Sequence, residues 1–335
     1  MTDLAAKDRS AGPPGSDVEQ VLDHHRTELR GYCYRMLGGA FDAEDAVQDV
    51  MVRAWRSWDR FEERSSRRTW LYRIAHNVCI DHLQGRQRRA RPMDFGPASR
   101  ADTLLAEPRP ETTWVEPIPD DQVLAGNDPA ERAAAQETIR LAFVAALQQL
   151  PPRQRGVLIL RDVLRWQASE VAALLDTTVA SVNSALQRAR ATLAADDLDR
   201  AAPRGTTDEA TEALLARYVD AFERYDIDAF VALLHADATQ NMPPFDHWLQ
   251  GAEEMGRWML GAGAGCRGSR LVPLRANGRF AFGSYRPSGP GGRHEPFSIQ
   301  VLEIADGRVA AISYFLDTNL FAVFGLPQHP DGDRS

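Results

Sequence analysis

Residues 64–91 read RSSRRTWLYRIAHNVCIDHLQGRQRRAR, and this stretch decides how the chain is built. Leu71, Ile74, Ala75, Val78 and Leu83 recur at helical spacing and predict one buried stripe, with Trp70 beside it and Thr69 as the cap. The opposite face carries Arg73, His76, Asn77 and Asp81, followed by Arg86, Arg88, Arg89 and Arg91. From Arg53 to Arg91, eleven arginines meet four acidic residues, a local net of +7, in a 335-residue chain of net charge -8. Arginines fix phosphates electrostatically, and aromatic or amide side chains hold an unstacked base. The segment therefore reads in two ways. It is a platform for single-stranded nucleic acid beside the polar loop ERSSRR, or a helix whose Trp70 and Tyr72 are core residues.

Upstream, DAEDAVQDVMVRAWRSWDRF (residues 42–61) predicts a helix capped by Asp42, with acidic residues in its first turn. Val47, Val50, Met51, Ala54, Trp55 and Trp58 make its apolar face. Asp45, Gln48, Asp49, Val52, Arg53 and Arg56 fall largely on the other, which periodicity alone reads as a solvated surface. Downstream, residues 92–131 are rich in Pro and Asp and have no helical period. From Pro92 to Arg132, nine acidic residues meet three arginines. This reads as a linker, a solvated tether that could also lie over a basic surface.

Residues 132–198 are helical again. LQQLPPRQRGVLILRDVLRWQASEVAALLDTTVASVNSALQRARATLA (residues 147–194) has a helix-turn-helix layout. Ser169 is placed to cap the first helix, Asp176 and Thr177 to turn the chain, and Thr178 to cap the second. Val179, Val182, Leu186, Ala189 and Leu193 form the second helix's predicted buried side. Ala180, Ser181, Asn183, Ser184, Gln187, Arg188 and Arg190 project outward. Amides for adenine, arginine for guanine and small residues for close approach suit a major groove.

The order of these motifs, with D-x-x-Q-D, then W-L-Y-R-I-A-x-N, then L-P-x-x-Q-R and S-x-x-x-L-x-R-A-R, resembles the sigma-70 family of RNA polymerase sigma factors. The likeness is to regions 2 and 4 of its compact extracytoplasmic function (ECF) group. It implies binding of core RNA polymerase and promoter-specific initiation, not enzymatic catalysis, and no cofactor. It assigns contact with the β′ clamp helices to Asp45, Gln48, Asp49, Val52 and Arg53. It assigns melted minus-ten DNA to Arg64, Ser65, Ser66, Trp70, Arg73 and Asn77, with Arg86, Arg88 and Arg89 along the phosphates. It assigns the minus-thirty-five element to the outward residues of the second helix, and the polymerase β flap to apolar residues such as Leu160 and Leu164. The sequence departs from the family's usual turn glycine at Asp176, and from a common basic residue at Asn183.

After a short linker (199–207), residues 208–327 open with helical periods and continue as strands. This part resembles a SnoaL-like domain, a cone of helices on a curved sheet. The fold class expected is thus two all-α modules followed by an α+β cone. Met242, Phe245, His247, Trp248, Trp258 and Tyr314 form a candidate pocket for a small ligand, and the domain is expected to modulate the helical modules, by ligand or by packing. Asp226, Asp237, Asp246, His235 and His247 sit in no motif that ties them to catalysis, and Asp237 reads as a turn residue. Two rival readings remain at this point. One is a ligand-responsive helix-turn-helix regulator acting without polymerase; the other is a SnoaL-like cyclase or isomerase.

Cys33, Cys79 and Cys266 match no disulfide or metal spacing, so a reducing cytoplasm is expected. No apolar run is long enough to span a membrane. Residues 1–17 read as a disordered leader and 328–335 as a tail.

Overall fold

The computed structural model describes residues 16–61, 65–125, 128–195 and 209–330. The expected short linker at 199–207, and most of the leader and tail, lie outside them. The first module is α1 (Ser16–Leu37), α2 (Ala40–Ser57) and α3 (Arg67–Leu83). The caps differ from those expected. α2 begins two residues before Asp42, because the Gly38–Gly39 turn ends α1 and Glu116 Oε2 accepts from Ala40 N at 2.8 Å. α3 is capped by Ser66, whose hydroxyl accepts from Thr69 N at 3.1 Å.

The linker is not a solvated tether. Its short helix α4 (Asp120–Val123) and the segment before it bury Trp114, Val115, Ile118, Val123 and Leu124. Ala90 N donates to Thr113 O at 2.8 Å, Val115 N donates to Ala90 O at 3.1 Å, and Glu116 N donates to Gly38 O at 2.9 Å. The second module is α5 (Pro129–Glu137), α6 (Leu141–Gln148), α7 (Pro152–Leu158), α8 (Ala168–Leu174) and α9 (Val179–Ala195). Gln167, not Ser169, caps α8, in a reciprocal box with Glu170. Asp176 makes the turn in the left-handed conformation, at φ 50°.

The C-terminal module opens with α10 (Glu209–Glu223) and α11 (Ile227–Ala232). Strands β1 (Leu234–Asn241), β2 (Trp248–Gln250), β3 (Arg270–Ala276), β4 (Arg279–Arg286), β5 (Glu295–Ala305) and β6 (Arg308–Phe315) form one sheet in the order β2-β1-β6-β5-β4-β3. Only β1 and β6 run parallel. Helix α12 (Ala252–Leu260) joins β2 to β3, and α13 (Leu320–Val323) follows the sheet. Asp237 lies in β1 rather than in a turn.

Strand alternation buries both faces of this sheet. Phe282, Leu302, Ile312 and Tyr314 face the cone with Tyr218, Phe222, Phe230 and Trp258. Ala281, Tyr285, Ile299, Val301 and Phe315 face outward and pack with Phe321, Phe41 of α2 and Leu141 of α6. The first two modules share one apolar core that runs from Leu29 and Val50 through Ile118 to Leu160 and Val182. Leu160, a residue expected at the polymerase flap, is fully buried in it.

Candidate nucleic-acid interface

The α2 surface assigned to polymerase is open. Asp45, Gln48, Asp49, Val52 and Arg53 are all exposed, with Arg53 paired to Asp81 at 2.9 Å and Asp49 to His82 at 3.0 Å. Trp55 was expected in the core and is not. It is 61% exposed beside Val52 at 47%, so the charged face carries an apolar centre that hydrophobic periodicity had assigned inward.

The residues assigned to melted DNA divide. Arg64 lies outside the described residues. Ser65 and Ser66 lead into α3, and Trp70 is half-buried against Trp58 and Phe61 at 5.9 and 5.1 Å. Tyr72 is fully buried. Asn77 is exposed. Arg73 is engaged: its Nη2 donates to Ala173 O at 2.7 Å and its Nε to Leu174 O at 3.3 Å. These are C-terminal carbonyls of α8, groups left free by the helix itself. Arg86 pairs with Asp42 at 2.8 Å, and Arg88 reaches Gln149 Oε1.

Arg89, expected along the phosphates, is buried. It is 6% exposed, too deep to lie along phosphates. It bridges Asp42 and Glu116 at 2.6 and 2.9 Å and donates to Trp114 O. Burial pushes the Asp42 carboxyl up, but Arg89 and Arg86 outweigh it and hold it below its usual value. At Glu116 burial wins over Arg89 and its carboxyl is raised. His76, expected on the outer face, is buried with Nδ1 2.8 Å from Tyr32 OH.

In the second module Ala180, Ser181, Asn183, Ser184, Gln187, Arg188 and Arg190 are all exposed on α9. Ser181 N donates to the Thr178 hydroxyl at 3.1 Å, so Thr178 caps the helix. Val179, expected inside, is 42% exposed because it stands at the first turn, beyond the core. Arg155 of α7 donates to Gln148 Oε1 at 2.6 Å, to Leu150 O at 3.1 Å and to Met36 O at the end of α1. Burial lowers its guanidinium to about 10.

The Asn277–Gly278 turn of the C-terminal module reaches into this assembly. Asn277 is fully buried in the left-handed conformation, φ 56°. Its Nδ2 donates to Tyr34 OH and to Ile139 O, both at 2.6 Å, and its Oδ1 accepts from Ile118 N at 3.0 Å. Gly278 N donates to Asp120 Oδ1 at 2.7 Å. One side chain thus joins α1, the linker and the turn between α5 and α6. An N-G dipeptide between two apolar runs announces a hairpin turn but not its distant partners.

In the cone, Met242, His247, Trp258 and Tyr314 are buried, and His247 stacks on Trp258 at 4.6 Å. Phe245 is half-buried in the β1–β2 turn. Trp248 faces the linker instead, its indole donating to Gly96 O at 2.9 Å. Two candidate carboxylates have structural duties: Asp226 caps α11 and Asp246 pairs with Arg109. Among the described residues no helix is long and apolar enough to cross a membrane.

Family models match residues 21–89 (sigma-70 region 2), 140–193 (sigma-70, region 4) and 215–312 (SnoaL-like domain). The chain is 45% identical over 319 residues to ECF RNA polymerase sigma factor SigG of Mycobacterium tuberculosis, covering 93% of this chain and 84% of that protein. It is 28% identical over 309 residues to ECF RNA polymerase sigma factor SigJ of the same species, covering 89% of each. The crystal structure of SigJ matches the fold with a TM-score of 0.57 at 23% identity, over 93% of this chain and 99% of that one. These likenesses set aside the regulator and enzyme readings: the chain belongs to the ECF group of sigma-70 family RNA polymerase sigma factors, with a SnoaL-like domain following region 4.

Proposed function

We propose that this sigma factor rests closed, with regions 2 and 4 packed on each other and on the SnoaL-like domain, and opens to engage core polymerase and promoter DNA. One observation carries the reading. Arg73, assigned to melted DNA, is held by two carbonyls of α8 in the helix-turn-helix. The two promoter elements lie about 25 base pairs apart, roughly 85 Å at about 3.4 Å per pair. A chain that reads both must part α3 from α8. The SnoaL-like domain favours the closed form through Asn277, whose hydrogen bonds exist only while α1, the linker and α6 are together. Its differential contacts with the two forms make it a population shifter.

The finer assignments follow from this reading. Asp45, Gln48, Asp49, Val52 and Arg53, with Trp55 added, meet the β′ clamp helices. Region 4 meets the β flap through surfaces other than Leu160. Ser65, Ser66, Trp70, Arg73 and Asn77 contact melted DNA once α8 leaves, and the seven outward residues of α9 read the duplex. Met242, His247, Trp258 and Tyr314 remain the candidate pocket for a small ligand, with His247 Nε2, Gln240 Oε1 and Gln300 Nε2 buried without hydrogen-bond partners among the described residues.

The test is transcription reconstituted with core RNA polymerase on the promoter upstream of the chain's own gene. The intact chain is compared with Asn277→Ala and with a chain ending at Gly205. Both variants should initiate severalfold more often than the intact chain. Equal initiation by all three would contradict a restraining role for the fused domain. Specific duplex binding with no response to core enzyme would contradict the polymerase-dependent reading.

A further inference from the structure

Arginine charge is left unbalanced where the two sigma regions meet the linker. A cleft of about 740 Å³ opens there, a size that suits a small ligand. Region 2 lines it with Asp42, Arg86, Arg88 and Arg89, the linker with Phe95 and Arg109, and region 4 with Gln149 and Arg155. Arg86 and Arg89 pair with Asp42, Arg89 also with Glu116, and Arg109 with Asp246 at 2.8 Å. Three of the five arginines thus meet three carboxylates. Among the described residues no carboxylate pairs with the other two. Arg88 donates to Gln149 Oε1, and Arg155 donates to Gln148 Oε1 and to main-chain carbonyls. Arg155 is 3% exposed, and its Nε is buried without a hydrogen-bond partner. Burial, with a smaller push from Arg88, lowers its pKa to about 10. A buried cation without a counter-ion is costly, and an anion beside it offsets that cost.

The excess of two positive charges is what a phosphate ester of charge about -2 would cancel. Guanidinium forks also match phosphate oxygens in shape. The same cleft holds a surface for a flat group. The Phe95 ring is 42% exposed, yet fixed edge-on against Trp114 at 5.5 Å, with Arg109 4.3 Å from its centre. Such a ring can stack a base.

We propose that this cleft binds a small nucleoside polyphosphate, with its phosphates on Arg86 and Arg88 beside the buried charge of Arg155 and its base on Phe95. The bound molecule touches region 2, the linker and region 4 at once, so it favours the closed form over the open one. It also occupies Arg86 and Arg88, two residues assigned above to DNA phosphates. The inference rests on the closed form already proposed, because only closure brings these walls together.

The test is isothermal titration of the intact chain with ATP, inorganic pyrophosphate and adenosine, without magnesium. ATP should bind at one site per chain, pyrophosphate about tenfold more weakly for want of stacking, and adenosine not at all. Arg88→Gln should weaken ATP and pyrophosphate alike by about tenfold. Phe95→Leu should weaken ATP by about tenfold and leave pyrophosphate unchanged. Arg224→Gln, at an exposed arginine of α10, should change neither. Circular dichroism checks that each variant keeps its fold.

The other source of phosphate is the backbone of DNA. A short single strand of arbitrary sequence that bound the free chain as tightly as ATP, and lost as much affinity in Arg88→Gln, would make the cleft part of the DNA track and overturn the inference. ATP binding that Arg88→Gln left unchanged would overturn it too. The closed form is checked apart from this, by the spin-label distance between α3 and α9 without ligand. A short distance with no binding of ATP or pyrophosphate overturns the nucleotide site alone. A long distance overturns the closed form and the cleft with it.

Discussion

His76 is a neutral ring between the first two modules. Its Nδ1 pairs with Tyr32 OH, and an added Cβ on Gly156 of α7 would lie 2.7 Å from its Cε1. Burial, with a smaller push from Arg153, lowers its pKa to about 4. The folded chain therefore binds fewer protons than the unfolded one between about pH 6.5 and 4, and stability falls as pH drops through that window. The full effect is about 3 kcal/mol. Thermal unfolding followed against pH should flatten over this window in His76→Gln; parallel profiles would show that another group carries the dependence. Gly156→Ala separates packing from propensity. Alanine favours an isolated helix by about 1 kcal/mol, yet here it meets the His76 ring, so the melting temperature should fall and not rise. Arg89 gives a third residue-scale outcome. Arg89→Met leaves the buried Glu116 without its cation and Asp42 with Arg86 alone, and should cost about 3–5 kcal/mol in chemical denaturation, whereas a phosphate-contact role would leave stability unchanged. Neither His76 nor Arg89 could be told from Arg73 in the sequence. All are basic residues on or just after one helix, and what separates them is Tyr32, Ala173 and Glu116, each distant along the chain.

The elements were legible where one face meets one neighbour. The stripe of α9 follows from period beyond its first turn, because Val182, Leu186 and Ala189 share one side, whereas α3 also buries Tyr72 and His76 off its predicted stripe because it is packed from several sides. α2 exceeded its pattern. Trp55 continues the apolar spacing yet stands on the flank, 61% exposed, and nothing in its spacing separates a core tryptophan from a docking one. Trp55→Ala should leave the melting temperature almost unchanged and weaken binding to core polymerase by about tenfold or more, as expected of a central aromatic at an interface. Calorimetry and a binding titration read the two effects apart; a large loss of stability would return Trp55 to the core. The linker packs without showing a pattern in the sequence. Its buried residues have no period because each serves a different neighbour: Trp114 and Glu116 the first module, Ile118 the Asn277 turn. Its acidity looked solvated, yet Glu116 and Asp120 are buried on backbone amides. Caps failed at Asp42, Thr69 and Ser169 because several capping residues lie within a few positions of each other, and tertiary contact chose among them.

At the scale of the molecule, motif order identified three modules, but their arrangement was not in any one of them. A sheet apolar on both faces requires a second partner, and here that partner is Leu320 and Phe321 of α13 together with Phe41 and Leu141 of the two sigma regions. The closed form is held by the apolar core the first two modules share and by polar contacts at their junctions: Arg73 on α8, Arg155 on Met36, Asn277 on Tyr34 and Ile139. Each is lost when the modules part, so opening should be cooperative, and core polymerase and DNA must supply the differential affinity. The most direct test is the distance between α3 and α9. Spin labels at Gln84→Cys, the residue that ends α3, and Ala191→Cys of α9, both exposed and neither assigned to DNA, in a Cys266→Ser background leave only buried cysteines to compete. Pulsed dipolar spectroscopy should give one short, narrow distribution for the free chain and a shift outward by tens of ångströms on binding core polymerase and promoter DNA. The same distance in both states, or a long and broad distribution in the free chain, would contradict a closed resting form.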